Sequence, residues 1–184
     1  MATWGTVEEW RKVQWKQEKM LNSLKTFKIC NEVEQLLFLL CGPIGAGKSS
    51  TINTIKTIFE GRQFVSCLAA SGSSTHTLHL SQYNDYENAS FPFTLNDVMG
   101  IEASEGVQTD DIISALKGHI KEGYVFNSKA PIAESNIYYN KDPSLNDQMH
   151  CLVYVIPANM ISVMDNDFIS KFICVSKIAN KMGE

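Results

Sequence analysis

At 184 residues, with 44% apolar and 20% charged side chains, the chain has enough sequence for one globular domain with a real core. That balance excludes a disordered or fibrous protein, and a net charge of −4 argues against a general nucleic-acid surface, which needs a basic excess to displace counterions.

The five cysteines (Cys30, Cys41, Cys67, Cys151 and Cys174) are odd in number and form no CxxC pair. Three lie in strongly apolar stretches, where a free thiol acts as a small hydrophobe, which favours a reducing compartment. The first residues, "MATWGTVEEWRK", do not place a basic region before an apolar one, so no secretory signal is read there. The longest apolar run, "LLFLLCGPIGA", is too short and glycine-rich to span a bilayer. A soluble, cytoplasmic protein is therefore expected, with the sequon at Asn88 unglycosylated.

In chain order, residues 5–29 predict a helix, with Met20, Leu21, Leu24 and Phe27 at helical spacing. This segment is locally basic, six Lys/Arg against three Glu in the first thirty residues, and carries Trp4, Trp10 and Trp15. The tryptophans could mark a membrane or partner surface, but packing against the body of the fold is the simpler expectation. The unbroken apolar run "VEQLLFLL" (33–40) predicts a strand covered on both faces. Next, "SSTINTIKTIFEG" places Ile52, Ile55, Ile58 and Phe59 on one helical face, with Gly61 as a natural stop.

Residues 62–90 are weakly patterned and rich in Ser, Thr and Asn. "SFPFTLND" (90–97) reads as another buried strand. "TDDIISALKGHI" reads as a helix capped by Thr109, with Asp110 and Asp111 favouring the positive end of its dipole. Residues 123–149 are loop-like, and "HCLVYVIP" (150–157) is a third apolar strand, begun by a structural His150. Phe168, Phe172, Val175, Ala179 and Met182 step by four and three, predicting a terminal helix. Strands alternating with helices imply an α/β layered fold with a mainly parallel sheet.

One stretch carries chemistry. Gly42, Pro43, Ile44, Gly45, Ala46, Gly47, Lys48 and Ser49 fit G-x-x-x-x-G-K-[ST], between an apolar strand and an amphipathic helix. The glycines let the backbone curl around an anion, and the following helix, which opens with Ser49 and Ser50, offers its N-terminus to the same charge. Lys48 would reach the β- and γ-phosphates, and Ser49 would give its hydroxyl to Mg²⁺. Asp97 ends the second strand 48 residues after Ser49 and opens "DVMG", a D-x-x-G. Its carboxylate would hold the metal through water, while the Gly100 N–H would sense the γ-phosphate. A threonine that closes on Mg²⁺ is sought in "SGSSTHT", where Thr75 is favoured over Thr77.

Two parts of a GTPase are not found. The position after D-x-x-G, where many GTPases place a water-orienting Gln, is Ile101; Glu102 and Glu105 nearby read as solvated residues. The [NT]-K-x-D that reads guanine is matched only by "SKIA" and "NKMG", which have no Asp and fall in the terminal helix. His76 and His79 have no further ligands at zinc-like spacing. Hydrolysis is therefore expected to be slow unless a protein partner or a second protomer, as in a homo-oligomer, completes the site.

"WRKVQW", "LLFLLCGPIGAGKSSTINTI", "DVMG", "DDIISALKGHI" and "PSLNDQMHCLVYVIPAN" together resemble the interferon-induced protein 44 family of GTPase-like proteins, from about Trp10 to the C-terminus. The resemblance implies a cytoplasmic, interferon-induced protein of antiviral defence with a GTP-binding P-loop fold, the family positions being Gly42 to Ser49 and Asp97 to Gly100. It also implies that longer members carry a further N-terminal domain and continue into the base-reading strands. The expected organisation is a helical segment over residues 1–32 packed on a P-loop GTPase-like domain over 33–184, incomplete at its C-terminus and with an exposed sheet edge. The leading expectation is a guanine-nucleotide (GTP/GDP) and Mg²⁺ binder. A scaffold that keeps the fold without cycling nucleotide is the rival, and an ATP-using phosphotransferase comes last.

Overall fold

The computed structural model describes residues 16–27, 32–61, 63, 81–83, 93–98, 100, 101 and 106–182. The centre of its sheet is β1 (Leu36–Cys41), whose neighbours are β3 (Phe93–Asp97) on one side and β4 (Cys151–Tyr154) on the other. Both pairings are parallel, with Leu40 opposite Asp97 and Cys41 opposite Tyr154. The short β2 (Ser81–Tyr83) adds an antiparallel strand outside β3, giving the order β2-β3-β1-β4. This is the α/β, mainly parallel sheet that the alternating pattern predicts.

The run LLFLLC explains the layering. Successive side chains of a strand point to opposite faces, so Leu37, Leu39 and Cys41 enter one core while Leu40, with Phe38 beside it, enters the other. The second face is covered by α2 (Lys48–Glu60), which buries Ile52 completely against Leu40 and Leu95. Phe59 of that helix meets Phe93 edge-on at 5.1 Å. Burying one such isoleucine contributes about 1.5–3 kcal/mol. Gly61 ends α2 in the left-handed conformation, as expected for a C-terminal stop.

The first face holds the larger core, closed by α3 (Thr109–Leu116) and α4 (Asn166–Met182). Phe168 and Val175 of α4 are buried, and Phe172 and Ala179 pack beside them, whereas Met182 is 36% exposed. The predicted stripe is thus followed for four of its five positions. The Tyr154 ring stands edge-on to Phe172 at 4.5 Å and its hydroxyl donates to the Phe172 carbonyl at 3.1 Å, tying β4 to α4.

Thr109 is not the cap of α3. The helix begins after Gln108, which holds an extended backbone and makes no side-chain cap bond, so Thr109 is already its first helical residue. Gln108 instead turns its amide to the Ser128 carbonyl. Asp110 stays exposed, but Asp111 is turned fully inward.

Residues 123–149 are irregular, as expected, and so are 117–122, because α3 ends at Leu116 rather than at Ile120 as read; the whole segment is nevertheless anchored. Ile120, Tyr124 and Phe126 belong to the core, Ile120 bridges Tyr139, and the His119 ring stacks on Tyr139 at 5.2 Å. His150 is structural: its ring Nδ1 accepts the Leu37 N–H at 3.0 Å, and its backbone N–H donates to the Leu37 carbonyl at 2.8 Å. Burial lowers its pKa and keeps the ring neutral, as that acceptor role requires.

Of the helix expected over residues 5–29, α1 (Gln17–Lys25) is described. Met20 and Leu21 are half-buried, and Leu24 and Phe27 are 45% and 51% exposed. Trp4, Trp10 and Trp15 lie outside the described residues, as do Cys30, Cys67, His76, His79 and Asn88. Cys41, Cys151 and Cys174 carry free thiols. Among the described residues no helix is long and apolar enough to cross a membrane.

Candidate phosphate-binding site

The site forms where β1 and β3 both end. β1 delivers Cys41, the chain turns through Gly42 to Gly47, and α2 starts at Lys48 without any side-chain cap on its first N–H groups. An uncapped helix start behind a glycine-rich turn directs backbone N–H groups and the positive dipole end at one point.

Close approach explains two of the glycines. A Cβ on Gly42 would lie 2.1 Å from the carbonyl oxygen of Val155, on the chain leaving β4. A Cβ on Gly100 would lie 2.4 Å from Ile44 Cγ1 and 2.8 Å from the Ile44 backbone nitrogen. The glycine of "DVMG" is therefore seated directly on the phosphate loop. The Ile101 N–H donates to the Gly42 carbonyl at 3.0 Å, adding a hydrogen bond to that contact.

The charged groups are set within this frame. Lys48 is buried, and its Nζ donates to the carbonyls of Gly42 and Pro43 at 3.2 and 3.1 Å. Ser49 Oγ donates to Asp97 Oδ2 at 2.6 Å, across from α2 to the end of β3. Asp97 is fully buried, one register step from the loop on the strand beside β1. Cys41 lies within reach of both charges. Burial pushes its thiol up to about 12, the Lys48 ammonium acts in the lowering direction and the Asp97 carboxylate in the raising one. Cys41 is accordingly a protonated packing residue rather than a nucleophile.

The structure thus brings Lys48, Ser49, Asp97 and Gly100 to one place, although Asp97 and Ser49 are 48 residues apart in sequence. Ser50 sits exposed in the first turn of α2. Thr75, the proposed closing threonine, lies outside the described residues, as do Glu102 and Glu105. Ile101 is fully buried in the larger core. Lys177, Asn180 and Lys181, from the near-matches to the base motif, are exposed along the last turns of α4. Among the described residues no three His, Cys, Asp or Glu side chains gather into a metal cluster.

Sequence reading missed three contacts because each involves the backbone. The Gly42 carbonyl accepts from both Lys48 and Ile101, and Gly100 rests on Ile44. Only the requirement for glycine at Gly42 and Gly100 leaves a trace in the sequence.

The hydroxyl–carboxylate pair suits a hard cation that keeps several waters, and the ammonium with the helix start suits a polyphosphate. The donor set therefore fits Mg²⁺ with a polyphosphate.

Comparison with curated proteins shows the family and is silent on the ligand. The chain is 34% identical to mouse interferon-induced protein 44 over 157 residues, which is 83% of this chain and 37% of that protein. It is 36% identical to human interferon-induced protein 44-like over 144 residues, 76% of this chain and 32% of that protein. The chain is a partial member of the interferon-induced protein 44 family. A third family member, human interferon-induced protein 44, is 33% identical over 164 residues, 84% of this chain and 36% of that protein. The chain thus spans about a third of the length of these relatives. No family model matches it, and no solved structure does.

Proposed function

We propose that this chain binds a guanine nucleotide, GTP or GDP, with Mg²⁺ in the Gly42–Ser50 loop, as a cytoplasmic protein of the interferon-induced, antiviral immune response. The observation that carries the reading is the 2.6 Å Ser49–Asp97 contact beside buried Lys48, at the start of an uncapped helix. Bound Mg²⁺ would screen phosphate charge. Ser49 would offer its hydroxyl to it, Asp97 would orient its waters, and Lys48 would leave the loop carbonyls for the phosphates. The preference for guanine comes from the family resemblance, and the interferon-induced immune role from the relatives' names.

Turnover is slow or partner-dependent in this reading, because the position after D-x-x-G holds a buried isoleucine. The same observation supports a second reading, a scaffold that retains the fold without cycling nucleotide.

Titration calorimetry of the wild-type chain and Lys48→Ala with GTP, GDP and ATP, each with Mg²⁺, separates these. Heat from guanine nucleotides that disappears in Lys48→Ala is the expected result. Absence of heat from all three in the wild type would favour the scaffold, and equal affinity for ATP and GTP would remove guanine selectivity.

A further inference from the structure

A cleft of about 210 Å³ opens beside the phosphate loop, between Pro43 and Ile101 on one side and Met160, Val163 and Phe168 on the other, with Asp165 among its lining residues. Its volume falls below the roughly 300–1,000 Å³ of sites that enclose drug-sized ligands, leaving room for a single large side chain. We propose that this cleft docks a protein segment presenting one large aliphatic or aromatic side chain beside a Lys or Arg.

Three features select that occupant. The walls are apolar and partly thioether: Met160 and Met164 can adapt to a side chain of irregular shape. Val163 and Ile161 are 72% and 64% exposed and carry the apolar surface out beyond the cleft, more than scattered surface residues require. The rim is acidic: Asp165, which lines the cleft, is exposed, and Asp167, also exposed, follows it in the first turn of α4. Asp165 is also held in place, because its Oδ1 accepts the Phe168 N–H at 2.7 Å as the cap of α4. A basic residue next to the inserted side chain would meet a fixed carboxylate.

The cleft also touches the parts that would respond to a nucleotide. Pro43 supplies a carbonyl to Lys48, and the Ile101 N–H donates to Gly42. Resting on the nucleotide-binding reading, this contact makes partner and nucleotide affinities reciprocally coupled. Docking itself does not depend on that reading.

The test is selection of a random twelve-residue peptide display library on the nucleotide-free wild-type chain, followed by affinity measurement of a winning peptide. The expected winners share a large apolar residue adjacent to Lys or Arg. They bind Val163→Glu about tenfold or more weakly, a change at a largely exposed position that leaves the fold intact. Asp165→Asn keeps the helix cap and removes the charge, and should weaken binding about two- to fivefold at low salt, a difference that salt erases. Selection and affinity measurement are both made without nucleotide, so failure of nucleotide binding alone leaves docking standing. Winners without the apolar–basic pairing, or equal binding to Val163→Glu, would overturn the proposal. So would a dimer that Val163→Glu dissociates with no peptide enriched, which would assign the face to a second copy.

Discussion

Asp97 and Asp111 are both fully buried, and they do opposite things. Asp97 stands at a strand end, bonded to the Ser49 hydroxyl, in a setting of uncapped helix N–H groups and a nearby ammonium. Asp111 lies inside the larger core, where its Oδ1 accepts the Ile132 N–H at 2.7 Å and its carboxyl neighbours the Tyr124 hydroxyl. Burial raises the Asp111 pKa more than those hydrogen bonds lower it, and it raises Tyr124 too. On the proposed reading, a buried carboxylate marks chemistry only when its partners are exchangeable. A serine hydroxyl can turn to a metal, whereas Ile132 is a fixed point of the irregular segment pinned onto α3.

The comparison is broken most severely at the glycine beneath the site. Gly42→Ala places a methyl against the Val155 backbone, which cannot move without parting β4 from the loop. A loss of about 3 kcal/mol is expected, read as a fall of about 6–12 °C in melting temperature.

Asp111→Ala leaves the Ile132 N–H buried without its acceptor and should cost about 1–3 kcal/mol in denaturant unfolding. Nucleotide affinity of the folded fraction should stay unchanged. A selective loss of nucleotide binding in this variant would erase the distinction between the two carboxylates.

Ile101→Gln asks whether the missing glutamine can simply be restored. It cannot, on this account, because the side chain enters the core and not the phosphate site. The expected outcome is destabilisation of about 1–3 kcal/mol with no rise in phosphate release, and a clear rise would contradict the burial of Ile101.

The smallest effect is the pH dependence. A carboxyl whose folded pKa is raised binds more protons folded than unfolded, so its contribution is fully present below about 3.8, the ordinary Asp value, and is lost as pH rises through the folded value. Asp111→Asn keeps an acceptor for Ile132 and removes the titration. The stability difference, wild type minus variant, should therefore fall as pH rises from that value, as measured by urea unfolding at a series of pH values.

Much of this was legible in the sequence. β1 is an unbroken apolar run because helices cover it on both sides, and α2 and α4 carry helical stripes because each has one buried face. That the loop and Asp97 meet was readable from spacing, since the proposed phosphate and metal chemistry requires fixed residue types at strand ends. What escaped depends on partners far along the chain. Asp111 reads locally as a dipole-stabilising residue, and only Ile132, 21 positions later, makes it a pin. Thr109 looks like a cap because threonine often is one, yet the helix starts at it rather than after it. Ile101 shows in sequence as a missing glutamine, whereas the structure shows a core residue whose N–H ties the "DVMG" segment to the loop.

The most direct test sets the two carboxylates side by side. GTP affinity is measured with and without Mg²⁺ for the wild type, Asp97→Asn and Asp111→Asn. The account predicts that Asp97→Asn loses the Mg²⁺-dependent part of the affinity while Asp111→Asn retains it. Wild-type Mg²⁺ dependence in Asp97→Asn, or equal losses in both variants, would contradict it.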